Sequence, residues 1–222
     1  SLSMNHHVLK DFQQAINTQH FKDAEQIATH LPKSHPEYAA VQQALPKLHL
    51  GEKQYAAESI QTARKLANNQ QIPAALDLLT KTANALPVPP NNLLQLQKDL
   101  QSEQQQQTRL QLAALLASEA DWLLDQEAAL DALSAQQQAV DAQHLAQQIK
   151  ARRLGVATRL TRLGQDFAAS QDWANSYRCL QLARQLDGTV PQDTLQQAKT
   201  QLQKEQFRRT QQVFQKQREE AD

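Results

Sequence analysis

Glycine is nearly missing from this 222-residue chain, with 4 residues, and proline is sparse, with 8. Four scattered glycines cannot build a phosphate-cradling loop, which needs several close together. Aromatic residues amount to 5%, and β-branched runs are almost absent, so a sheet would lack its preferred residues and its turn punctuation. The single cysteine, Cys179, excludes an intramolecular disulfide framework and a cysteine-built zinc site. No hydrophobic run approaches the roughly 18 apolar residues that a spanning helix needs. Neither sign of charge prevails: Lys+Arg and Asp+Glu both number 23, for a formal net charge of zero. That balance excludes a strong whole-protein attraction to nucleic acid or to an anionic membrane, leaving only local basic patches.

What the chain has instead is glutamine, 39 residues by count, together with abundant alanine and leucine. Ala, Leu, Gln, Lys, Arg and Glu lose little side-chain freedom in a helix, so propensity alone favours an all-α fold. Much of the 40% hydrophobic content is alanine. Small side chains let helices approach closely but bury little area each. The core is therefore expected to be thin, as in stacked antiparallel helical hairpins.

Punctuation places the helices. The first two are expected over His7–Thr18, with Val8, Phe12 and Ile16 on one stripe, and over Phe21–Leu31. Pro36 suits a first helical turn, and that helix is expected to stop at Leu45 before Pro46, with the next opening at Gly51 and running to Ala67. Pro73 starts another, ending near Leu86. Pro87-Val-Pro-Pro90 is the clearest break and the expected boundary between two halves. Asn91 or Asn92 caps a long helix reaching Leu124, whose polar middle at Gln101–Gln107 belongs in solvent. Further helices are expected over Gln126–Gln138, Ala142–Ser170, Trp173–Leu186 and Gln192–Glu219. The organisation is then 1–4 as a cloning remnant or start, 5–87 as N-terminal hairpins, 88–190 as C-terminal hairpins, and 191–222 as a terminal helix. Ser1 to Ser3 before Met4 leave room for a trimmed targeting segment, so cytoplasm and periplasm both stay open. The absence of a glycine or proline stop suggests that the native chain continues past Asp222.

One segment carries an internal-repeat signal. Leu160, the adjacent Leu163-Gly164 and Phe167, followed by Leu180, Ala183 and Asp187-Gly188, resemble a tetratricopeptide repeat (TPR) over 160–188. Ser176 stands where that pattern usually has alanine, and Gly188 where it has proline. Weaker echoes surround Phe12 and Ala24, Ala63 and Ala75, and Ala117 and Ala129. The resemblance implies a right-handed TPR-like array, with an irregular α-solenoid containing some long helices as the other form. It also implies a surface for a protein or peptide partner, with Arg159, Arg162 and Asp166 on the first helix of the best repeat as contacts.

Chemistry is harder to find. Seven histidines are scattered with no His-x3-His pair, so no metal ligands are assigned. Cys179 sits in an apolar stripe with no histidine beside it and reads as a packed thiol. No catalytic, cofactor-binding or metal residues are therefore expected. Trp122 and Trp173 read as core residues at hairpin turns or, if half-exposed, as partner anchors. Lys204, Arg208, Arg209, Lys216 and Arg218 share a glutamine-rich helix with Phe207, Val213 and Phe214. The primary expectation is a non-enzymatic interaction scaffold. Self-association, or a spacer role within a larger protein, is second, and nucleic-acid binding through the basic terminal helix is third.

Overall fold

The computed structural model of the chain describes residues 7–135, 139–187 and 189–221. Among these residues every regular element is a helix. The elements are α1 (Val8–Asn17), α2 (Phe21–His30), α3 (Tyr38–Asn68), α4 (Ile72–Ala85), α5 (Asn91–Ala135), α6 (Ala139–Ala169), α7 (Trp173–Asp187) and α8 (Gln192–Ala221). The chain divides into two compact units, Ser1–Gln106 and Gln107–Asp222. The Pro87–Pro90 break separates α4 from α5 and lies inside the first unit.

In the first unit, α1 pairs with α2 and α3 with α4, and α2 also packs on α3. The core gathers Val8, Phe12, Phe21, Val41, Leu48, Ile60, Leu79 and Leu93. Contrary to the expected break at Pro46 and restart at Gly51, α3 is continuous for 31 residues. Proline removes one intrahelical hydrogen bond at a cost of about 3 kcal/mol, but Val41 and Leu48 on either side of it are both 0% exposed. Burial of that stripe holds the helix on course while the Pro46 ring faces solvent. Gly51 serves packing: a Cβ there would meet Phe21 Cε1 at 3.2 Å, so glycine lets that ring settle on α3. Pro36 falls short of the first turn, since α3 begins at Tyr38. The carboxylate of Glu37 caps a different helix, accepting the Leu9 N–H of α1 at 3.1 Å.

The second unit is built on the α6–α7 hairpin, with α8 packed on α7. Leu116, Ala120 and Leu123 of α5 join Ile149, Val156, Leu160, Phe167, Leu180 and Leu195 in its core. The expected helices ending at Leu124 and starting at Gln126 are one element, α5, 45 residues long. The Ala117/Ala129 echo is therefore no hairpin. Nothing between those positions breaks a helix, and Leu123 stays buried across the expected joint. Gln136–Gln138 and Gly188, the end of the expected repeat, lie outside the described residues.

Three interhelical turns share one backbone form. Gln19, Gln70 and Gln171 have φ of 63°, 62° and 60°, a left-handed conformation that glycine usually supplies. In each, the following N–H reaches back five residues: His20 to Ala15 O, Gln71 to Leu66 O and Asp172 to Phe167 O. The glutamine N–H itself reaches back three, to Ile16 O, Ala67 O and Ala168 O. This is the Schellman helix ending, made three times without glycine. The hairpins match on both sides of the turn. Phe12, Ala63 and Gly164 are buried seven residues before the glutamine, and Ala24, Ala75 and Ser176 are fully buried five after it.

Candidate functional site

The α6–α7 hairpin closes on its smallest residue. A Cβ at Gly164 would lie 2.7 Å from Leu180 Cγ and 3.3 Å from the Ser176 carbonyl oxygen. Glycine thus allows α7 to approach α6, and the buried Ser176 hydroxyl donates to Gly164 O at 2.7 Å. Asp172 accepts from the backbone and side-chain N–H of Asn175, at 3.3 and 2.8 Å, and so starts α7. At its other end α7 is held by Arg153, which donates to Leu186 O and to Gln185 O and pairs with Glu127 of α5.

On this frame α5 and α6 run in opposite directions: Arg109 donates to Ser170 Oγ at 3.0 Å, and further along α5 Glu119 pairs with Arg152 at 3.3 Å. The Arg152 guanidinium carbon lies 5.2 Å from the centroid of the Trp122 ring, a cation–π contact. Trp122 remains 47% exposed. Leu115 and Leu112 continue its row along α5 at helical spacing, and Leu115 is 70% exposed. Arg159 and Asp166 follow Arg152 on α6 at seven-residue intervals and share its edge. The result is an apolar row beside a charged one.

The expected contact residues are thus only partly gathered. Arg159 and Asp166 lie on the Arg152 edge, and Arg162 points further outward and is exposed. Trp122 joins this edge from the middle of α5 and is not at a hairpin turn. Trp173 is the part-buried first residue of α7, at the far end of α6 from Arg152. Sequence reasoning missed Arg152 and the exposed Leu112/Leu115 row. The signal was present in the spacing of Leu112, Leu115, Glu119 and Trp122, but the reading of Trp122 as a hairpin-turn residue obscured it.

On the opposite flank of α6, Leu130, Ile149, Leu154 and Leu186 line an apolar groove of about 750 Å³. A smaller polar groove in the first unit lies between Ile16, Phe21 and Gly51. Burial of Cys179 pushes its thiol up to about 11, so it is a poor nucleophile at neutral pH. Burial likewise pushes Glu52 up to about 7, with the charge and hydrogen bond of Glu25 adding to the rise and His49 opposing it. Among the described residues no three His, Cys, Asp or Glu side chains converge as metal ligands. No described helix is long and apolar enough to cross a membrane. No protein-family model, curated protein or solved structure matches this chain.

Proposed function

We propose that the chain works as a protein–protein interaction scaffold built from TPR-like helical hairpins, rather than as an enzyme. The observation that carries the reading is the α5–α6 edge. Trp122, Leu115 and Leu112 stand exposed on α5 beside the face that buries Leu116, Ala120 and Leu123, with Arg152 stacked on the tryptophan. Half-exposed tryptophan and arginine are the residues that most often anchor protein interfaces. Three hairpins with the same turn and a small, fully buried residue five positions after it (Ala24, Ala75 and Ser176) support the repeat reading.

The experiment places a photo-crosslinking residue at Leu115 and, as a control, at the exposed Lys65 of α3, in extract of the source organism. A discrete adduct at Leu115, absent at Lys65 and lost on Trp122→Ala/Arg152→Ala, is the expected result. Absence of a discrete adduct at Leu115, or an equal one at Lys65, overturns the assignment of this edge.

A further inference from the structure

The terminal helix α8 changes character along its length. Leu195 and Ala198 are buried in the second unit, whereas every residue over 206–221 is exposed, about 24 Å of helix with no described residue packed on it. Isolated helical segments of this length are marginal in water. Yet this one keeps Phe207, Val213 and Phe214 on its surface at 64, 55 and 60% exposure. Phe207 and Phe214 repeat at seven residues and so fall on one line along the helix. Lys204, Gln211 and Arg218 repeat at the same interval immediately beside that line, with Arg208 next to them. The apolar seam therefore has a basic border.

That border decides between occupants. In an antiparallel pair of two α8 helices, the rows holding Lys204 and Arg218 face each other, setting cation against cation. In a parallel pair, Val213 faces the partner's Arg218 and no opposite charges meet. Three apolar side chains among so many glutamines are too few to anchor the helix in a lipid interface, which wants a broad apolar face. A helix bringing its own apolar seam and acidic borders answers both features at once.

We propose that residues 204–221 dock an α-helical protein segment whose apolar seam is flanked by glutamate or aspartate. This deepens the scaffold reading by naming the chemistry of a partner, and it rests on a surface separate from the α5–α6 edge.

The test uses the full chain and two labelled synthetic amphipathic peptides, identical except for glutamate or lysine beside their leucine seam, followed by fluorescence anisotropy. The glutamate peptide is expected to bind at least about tenfold more tightly than the lysine peptide. Phe207→Ser/Phe214→Ser abolishes binding, and Lys204→Glu/Arg218→Glu reverses the preference. All four side chains are exposed, so both variants keep the parent's circular dichroism. The proposal is overturned if neither peptide binds or both bind alike. It is also overturned if phosphatidylserine vesicles retain the chain more tightly than the glutamate peptide, or if sedimentation shows a dimer lost with the phenylalanines. Leu115→Asp leaves peptide binding unchanged, so failure here and failure of the α5–α6 edge are told apart.

Discussion

The hydroxyl of Ser176 donates to the carbonyl oxygen of Gly164 at 2.7 Å across the α6–α7 hairpin, in a position shut off from solvent. The bond and the missing side chain are one device. The absent Cβ lets the helices close, and the serine satisfies a carbonyl lone pair that the closure strips of water.

Gly164→Ala therefore loses stability in spite of its better helix propensity. The new methyl would sit 2.7 and 2.8 Å from two Leu180 carbons, and overpacking of this kind costs about 1–3 kcal/mol. Both tryptophans, Trp122 and Trp173, lie in the second unit, so the urea midpoint read by tryptophan fluorescence should fall. An unchanged midpoint would mean that α7 can retreat without loss.

The first unit holds a comparable buried contact between Ser59 and Thr82, whose hydroxyl oxygens are 2.5 Å apart. Thr82 gives its proton to Leu78 O at 2.9 Å, so Ser59 is the donor between them. Thr82→Val strands that donor and should cost about 1–3 kcal/mol. Adding Ser59→Ala to it should restore most of the loss. Thermal unfolding of the two single variants and the double variant measures the coupling, and strict additivity would contradict it.

Glu52 makes the first unit sensitive to pH. Its carboxyl rises from 4.5 to about 7 on folding, so the folded state prefers it protonated. The stabilising contribution is complete below about pH 4.5, in the ordinary carboxylate range, and is lost as pH rises through 7. Glu52→Gln keeps the site neutral throughout. The variant should match the parent near pH 4 and exceed it by a few degrees at pH 8, with slower hydrogen exchange in α3. A parent that is the more stable at pH 8 would rule out this account.

Much of the architecture was legible because helix-forming composition and apolar spacing act locally. Val8, Phe12 and Ala24, or Leu160, Phe167 and Leu180, announce buried stripes without knowledge of the partner helix. Pro46 and Gly51 misled for a physical reason. Their local cost is real, but burial of Val41 and Leu48 and seating of the Phe21 ring outweigh it, and both effects depend on residues distant in sequence. The candidate edge was half legible. Trp122 and Arg159 stood out as residue types, whereas Arg152 gains its meaning only when α5 lies beside α6 and brings Glu119 and Trp122 to it.

The turns at Gln19, Gln70 and Gln171 carry a further consequence. A glutamine side chain does nothing to favour a left-handed backbone, so the bend is imposed by the helices that meet there and closed by main-chain atoms alone. The three side chains stand in solvent and are spectators of the geometry they occupy. Each is accordingly an address on the protein surface where a dye or a tether on an unbranched side chain can be installed, while the joint beneath goes on being made by its backbone.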